Sequence, residues 1–265
     1  MSAETPDPAQ AFAGKLIKTL NDGALCLMIS IGYRTGLYDT ISTFYPEFVS
    51  SQALADKAKL NERYVREWLG AMVVGGIIEY NSESKTYRLP KDHAAFMTRE
   101  AGPKNVAVFA QWIPLLGSVE ERILGCFQNG GGVPIEAYHR LDEVLAEKNN
   151  IFLVSALKDM IVPGIPGLSD KLNQGCKVLD MGCGRGLVIL DLAKRHPNCT
   201  FRGYDISSKL VAEANADVAS LGLTNISFHV QNISSLEEVG EYDVILTLDV
   251  IHHLADPVGA LKGAN

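Results

Sequence analysis

The stretch Val178-Leu-Asp-Met-Gly-Cys-Gly-Arg-Gly186 joins an apolar strand to a glycine-rich turn that opens a helix. Glycines in such a turn adopt φ values that a side chain disfavours, and they let the backbone approach a ligand closely. Nicotinamide and flavin enzymes carry turns of this kind after a strand, and a plain strand-to-helix turn is the alternative without a ligand. The stretch therefore predicts an α/β nucleotide-binding fold.

The glycine spacing and one acidic residue narrow the class of cofactor. The spacing is GxGxG rather than GxGxxG, and Asp180 stands two residues before Gly182. A pyrophosphate on the helix N-terminus would be repelled by this carboxylate. A cofactor that carries an ammonium group would instead be attracted, so the pattern favours a cationic ligand.

Strands and helices alternate along the C-terminal part of the chain. The predicted strands are Lys177–Met181, Thr200–Asp205, Ile226–Gln231 and Tyr242–Leu248, and the predicted helices between them are Leu187–Arg195 and Ser208–Ser220. Such alternation predicts a parallel, doubly wound, Rossmann-like α/β sheet, here represented by its first four strands.

A second acidic residue, Asp205, ends the next predicted strand. It follows Asp180 at close to the spacing at which a carboxylate reaches ribose hydroxyls in dinucleotide folds. Ile206 would then offer an apolar face to an adenine ring. The alternative is that Asp205 caps the following helix.

With these residues in place, the sequence resembles the class I S-adenosylmethionine-dependent methyltransferases. Their first motif corresponds to Asp180–Gly186, their ribose acid to Asp205, their adenine-edge position to Asn232 and their fourth motif to Tyr242–Pro257. Many members have Asp where this chain has Asn232, and an asparagine can also hydrogen-bond an adenine amino group.

The resemblance implies S-adenosyl-L-methionine as cofactor and methyl transfer to a small-molecule acceptor. It implies these cofactor-binding residues: Asp180, Gly182, Cys183, Gly184, Gly186, Asp205, Ile206, Asn232, Ile233 and Leu248. Two alternatives stay open, namely a cofactor-binding but non-catalytic interaction or dimerisation protein, and a winged-helix transcription regulator.

His252 and His253 follow the fourth predicted strand, where methyl donor and acceptor would meet. One of them is a candidate general base that removes the acceptor's proton. The alternative is that they only line the pocket, because many methyl transfers need positioning alone. Adjacent histidines without a partnering Cys, His or carboxylate set do not predict a metal site.

The N-terminal part is mostly helical and predicts a winged-helix-like domain. A short helix beginning at Ser51 and a second helix, Glu62–Val74, precede a predicted hairpin formed by residues 75–80 and 86–89. A subgroup of small-molecule methyltransferases carries such a domain, and the resemblance implies that it packs either as a homodimer contact or as a lid element. The predicted domains are residues 1–100 (winged-helix-like), 101–173 (helical connector or lid) and 174–265 (cofactor-binding).

Composition and charge bear on partners and location. The formal net charge is −7, with 24 basic and 31 acidic side chains, which argues against nucleic acid as a partner. Neither a membrane-spanning apolar run nor a signal-peptide pattern is present. The five cysteines are scattered without CxxC spacing and predict reduced thiols in a cytoplasmic protein.

The position of Asn265 adds one expectation. The family sheet has seven strands, and this sequence ends shortly after the fourth predicted strand. We therefore expect a C-terminally truncated domain with an incomplete sheet, which binds cofactor more readily than it turns over.

Overall fold

A computed structural model describes residues 7–236, 240–254 and 256–263. The chain forms two compact units, Met1–Val144 and Leu145–Asn265. No single helix among the described residues is long and apolar enough to cross a membrane.

The first unit is helical with one small hairpin. Its helices are α1 (Pro8–Arg34), α2 (Leu37–Ser42), α3 (Ser51–Ala58), α4 (Glu62–Val74), α5 (Lys91–Met97), α6 (Trp112–Gly117) and α7 (Glu120–Asn129), and its strands are β1 (Glu79–Asn81) and β2 (Thr86–Arg88). Side-chain caps set two of the helix starts. Ser50 accepts from the Ala53 N–H before α3, and Asn61 accepts from the Arg63 N–H before α4.

The predicted winged-helix arrangement is confirmed. Strands β1 and β2 pair antiparallel, with Tyr80 opposite Tyr87, and Val49 forms an isolated bridge to Tyr87. Trp68 of α4 lies at the centre of this unit, where its indole N–H donates to the Met28 carbonyl over 2.9 Å. A side chain at Gly32 would overlap the indole ring, because a Cβ there would lie 2.4 Å from it.

The second unit is an α/β layer structure. Helix α8 (Leu141–Ala156) leads into it, and α9 (Val162–Gly164), α10 (Leu168–Gln174), α11 (Leu187–Arg195), α12 (Ser208–Leu221) and α13 (Pro257–Gly263) follow. The strands are β3 (Lys177–Met181), β4 (Thr200–Asp205), β5 (Ile226–Val230) and β6 (Val244–Leu246), and they form one sheet in the order β5-β4-β3-β6. All neighbouring pairs in this sheet are parallel, which confirms the predicted doubly wound fold.

Side chains alternate between two buried faces of the sheet. Val178, Phe201 and Phe228 belong to the larger cluster, which includes residues of α11 and α12. Leu179 and Tyr204 point to the opposite face, in a cluster that includes Ala260 of α13 and Ile233. Helices therefore cover both faces, and the carboxyl ends of the strands remain as the edge at which loops gather.

The predicted fourth strand, Tyr242–Leu248, is wrong in extent, because only Val244–Leu246 pairs with β3. Two acidic residues account for the difference. The Asp243 carboxylate accepts from the Lys177 N–H before the strand begins, and Asp249 adopts a left-handed φ of 62° after it ends. The other predicted strand and helix bounds in this unit hold to within one residue.

Candidate cofactor site

The glycine turn after β3 is anchored on the neighbouring strand. The N–H groups of Gly182 and Cys183 both donate to the Tyr204 carbonyl, over 2.8 and 3.0 Å. The Gly186 N–H donates back to the Cys183 carbonyl over 2.8 Å, which closes the turn before α11. All three glycines have positive φ, between 55° and 75°, so the turn needs residues without a side chain.

The three glycines meet different surroundings. A Cβ at Gly186 would lie 2.1 Å from the Phe228 ring, and one at Gly182 would lie 2.5 Å from Val250. A Cβ at Gly184 would meet nothing within 4 Å. Gly182 and Gly186 are therefore required by packing, whereas Gly184 presents its backbone to open space, where a ligand can approach it.

Asp205 ties the turn to the end of β4. Its Oδ2 accepts from the Gly184 N–H over 2.8 Å, and its Oδ1 accepts from the Ser207 N–H over 2.9 Å. The N-cap of α12 is Ser207, whose hydroxyl accepts from the Leu210 N–H. Asp205 therefore lies two residues before the N-cap and does not cap the helix itself, and each of its carboxylate oxygens keeps a further lone pair for a ligand.

Asp180 is the buried acid of the site, with only 3% of its surface exposed. Burial, reinforced by the negative charge of Asp205, raises the pKa of Asp180 to about 7. A buried carboxyl group with a pKa in this range is readily ionised when a cation arrives next to it.

Cys183 has no reactive character in this position. Burial, with the charges of Asp180 and Asp205, raises the pKa of its thiol well above the ordinary value. The thiol therefore stays protonated and contributes shape to the turn rather than a nucleophile.

Arg185 is a residue of the turn that sequence reasoning missed. Its guanidinium lies 2.9 Å from Asp217 and 3.3 Å from Glu213, both on α12. These ion pairs fasten the outer side of the turn to the helix that follows β4. Nothing in the glycine spacing signals them, because the partners belong to a later element.

The remaining predicted contacts divide into exposed and packed positions. Ile206 is 74% exposed directly after Asp205, and the exposed Asn232 accepts the Ser234 N–H at its Oδ1. Ile233 is buried in the cluster on the α13 side, and Leu248 is half-buried against the larger cluster. Ile206 and Asn232 thus offer free surface to a ligand, whereas Ile233 and Leu248 are held mainly by packing.

The segment after β6 brings four polar side chains together. The Nε2 atoms of His252 and His253 lie 2.7 Å apart, and His252 Nε2 lies 3.5 Å from Asp249 Oδ1. Asp249 Oδ2 in turn accepts from Lys148 of α8 over 2.5 Å. Val250, the residue after Asp249, packs against Gly182, so the segment that carries these side chains starts beside the glycine turn.

Helix α4 of the winged region carries mixed charge rather than a cationic face. Its arginines, Arg63 and Arg66, each pair with a glutamate one helical turn away, Glu67 and Glu62 respectively. A recognition helix needs cations that are available to phosphate.

Two family models match the chain. An Rv2258c-like winged helix-turn-helix domain matches residues 23–99, and a methyltransferase domain matches residues 172–265. The chain is 31% identical over 84 residues to a probable (S)-tetrahydroprotoberberine N-methyltransferase of Papaver bracteatum, over 32% of this chain and 24% of that protein. The chain spans only 22%, 24% and 29% of the length of the first three curated relatives that it matches.

Solved structures share the fold over nearly the whole chain. The mitomycin 7-O-methyltransferase MmcR superposes with a TM-score of 0.68 at 18% identity, covering 97% of this chain and 77% of that one. Human N-acetylserotonin methyltransferase in complex with SAM superposes with a TM-score of 0.66 at 14% identity, covering 99% and 77%. Identities this low establish the fold alone. The chain therefore joins an N-terminal winged helix-turn-helix domain to a methyltransferase domain.

Proposed function

We propose that this protein binds S-adenosylmethionine at the glycine turn and directs methyl transfer to a small-molecule acceptor. The observation that carries the proposal is the turn itself, in which Gly184 faces open space and Asp205 and Asp180 lie beside it. When bound, the cofactor supplies a methyl group on a sulfonium. The methyltransferase domain match and the methyltransferase relatives support this proposal.

The side chains around the turn fit the parts of this cofactor. Asp205 would hold the ribose hydroxyls with the acceptor sites that Gly184 and Ser207 leave free. Ile206 would cover one face of the adenine, and the amide of Asn232 would meet its edge. Asp180 would supply the negative charge for the ammonium end.

We expect the affinity for S-adenosylhomocysteine to depend on pH through Asp180. In the unliganded protein the raised pKa of about 7 keeps this carboxyl protonated in acid solution, which stabilises the fold until the pH rises through that value. The ammonium end of the ligand favours the ionised form, so binding releases a proton. The affinity should therefore fall about tenfold per pH unit below 7 and level off above it.

Isothermal titration calorimetry in buffers of different ionisation enthalpy measures this proton release directly. Asp180→Asn keeps the shape of the side chain but removes its titration, so the variant should bind weakly and with no proton release. Because the pKa of Asp180 is about 7, the wild-type affinity should change between about pH 5.5 and 7. A constant affinity over this range would contradict the role of Asp180.

We further propose that His252 or His253 accepts the proton that the acceptor loses. Both rings are exposed after β6, and Val250, which precedes them in the same segment, packs against Gly182 of the glycine turn. A base at this position would serve an acceptor with a hydroxyl, amine or thiol group.

The first helix supports a proposal about assembly. Every residue from 7 to 22 is exposed, although α1 carries Phe12, Leu16, Ile17 and Leu20 at 50–66% exposure. A single helix without packing partners is marginally stable in water. We propose that a second copy of the chain covers this stripe, in a symmetric homodimer through the winged domain.

Replacing Leu16 and Leu20 by glutamate should turn the dimer into a monomer, because two charges would be buried in an apolar contact. Light scattering coupled to size-exclusion chromatography measures the mass. The control carries Ala11→Glu and Lys15→Glu, at positions that are also exposed but lie on another face by the helical period. A wild-type monomer at micromolar concentration, or a dimer in both double variants, would refute this interface.

A further inference from the structure

We propose that Lys148 and Asp249 are positioning residues that keep the His252–His253 pair in a form that accepts a proton. This inference rests on the proposed function, and it gives a role to Lys148, which lies outside the motifs, and to Asp249, a fourth-motif residue without a role so far.

The histidine pair holds at most one proton between its facing nitrogens. The two Nε2 atoms lie 2.7 Å apart, and a hydrogen bond between them needs one N–H and one lone pair. At least one ring nitrogen of the pair is therefore unprotonated. The rings cross at 74° with their centres 3.9 Å apart, so the contact is edge to face rather than a stack.

Asp249 is the element that fixes the pair relative to the sheet. It is a non-glycine residue with a φ of 62°, a conformation that surrounding contacts must hold. One oxygen accepts from Lys148 over 2.5 Å and the other lies 3.5 Å from His252 Nε2. Burial alone would raise the pKa of Asp249, but the hydrogen bond and the charge of Lys148 hold it below its usual value.

Lys148 brings its charge from a different element, the part of α8 that belongs to the second unit. Only 15% of its side chain is exposed, against 38% for Asp249, so the ion pair is partly shielded from water. Shielding strengthens the interaction relative to a surface pair. Lys148 therefore places a fixed positive charge beside Asp249, in the segment that follows β6.

These two residues act on His253 with opposite signs. Burial and the charge on His252 lower the pKa of His253, and Lys148 lowers it further, whereas Asp249 raises it. Asp256, the next carboxylate along the chain, accepts the Gly259 N–H and thus caps α13. Burial and His252 thus lower the pKa of His253 most, and the opposing charges of Asp249 and Lys148 adjust it, so that the free form of this ring is favoured.

The chemistry of the pair is a simple proton exchange. The acceptor's O–H, N–H or S–H bond breaks as its heavy atom becomes nucleophilic, and a new N–H bond forms on a free ring nitrogen. The resulting imidazolium is stabilised by the Asp249 carboxylate. Because both rings are exposed, the proton then passes to water and the pair returns to its neutral state.

Nuclear magnetic resonance titration of the histidine rings tests this role without any turnover. The chain has six histidines, and single His252→Gln and His253→Gln variants assign the two resonances. Lys148→Met should raise the pKa of His253, Asp249→Asn should lower it, and Lys148→Arg should restore the wild-type value. The matched control is Lys171→Met, because Lys171 also donates from a helix to the β6 segment, at the Asp243 carbonyl rather than beside the histidines.

Opposite shifts in the Lys148 and Asp249 variants, with no shift in the control, would support the assignment. Unchanged titrations, or shifts of the same sign in both variants, would overturn it, because a purely structural role predicts a lower melting temperature alone. If Lys148→Met does not fold, the other two variants decide the question. The pKa of His253 should be lowered in Asp249→Asn and should keep its wild-type value in Lys148→Arg, and any other result would overturn the proposal. A parallel titration with S-adenosylhomocysteine separates the proposed function from the positioning role. If the wild type does not bind this ligand, the proposed function fails. If it binds and the histidine titrations are unchanged in the variants, only the role of Lys148 and Asp249 fails.

Discussion

Gly184→Val is expected to fold and to lose S-adenosylhomocysteine binding by roughly a hundredfold or more, which corresponds to about 2.7 kcal/mol. The reason is that a Cβ at Gly184 meets nothing within 4 Å, so the branched side chain fills the open space next to the turn rather than the protein interior. The φ of 55° adds backbone strain of about 1–2 kcal/mol. Calorimetric titration and a thermal melt separate the two effects.

Gly222→Val is the matched control for the glycine turn. Gly222 caps the end of α12 with a φ of 64°, and a Cβ there also meets nothing within 4 Å. The control should therefore lose similar stability while keeping wild-type affinity. Equal binding by both variants would show that the ligand does not pass Gly184.

Asp205→Ala should weaken S-adenosylhomocysteine binding by roughly ten- to a hundredfold, since each charge-assisted hydrogen bond to the ribose is worth about 1.5–3 kcal/mol. The loss should fall at the upper end of this range, because the same change removes the acceptor that holds the Gly184 N–H. Asp205→Asn keeps one acceptor oxygen and should lose less.

Asp191→Ala is the matched control for this carboxylate. Asp191 pairs with Arg195 within α11, so its removal deletes an aspartate from a neighbouring helix without touching the turn. Its affinity should equal that of the wild type. If Asp205→Ala also binds as tightly as the wild type, then Asp205 serves the turn structurally and not the ligand.

Local sequence patterns predict the fold well in this chain. The bounds of α4 and of β3 follow from apolar spacing and from the polar residues that end each run, and the structure reproduces them. The glycine turn is also predictable, because only glycine suits three positive φ angles in so short a stretch. Periodicity and turn chemistry are local properties, so they can be read without knowing the rest of the chain.

Contacts between distant residues could not be predicted in this way. Nothing local indicates that Arg185 meets Asp217, or that Lys148 meets Asp249 across 101 residues. The apolar run from Tyr242 to Leu248 likewise predicts a longer strand than the three residues that pair with β3, because the bond of Asp243 to Lys177 and the backbone conformation of Asp249 arise only in the folded chain. The position of each side chain in the candidate site thus depends on tertiary packing, although the residue types are visible in the sequence.

Amide nuclear magnetic resonance of the full chain, titrated with S-adenosylhomocysteine, shows residue by residue whether the glycine turn holds the cofactor. We predict saturable shifts at the amides of Gly184 and Ile206 and at the side-chain amide of Asn232, with α3 and α4 unchanged. If Gly184 and Ile206 keep their unliganded shifts at saturating ligand, or if the perturbed residues lie only in the winged domain, the glycine turn is not the cofactor site.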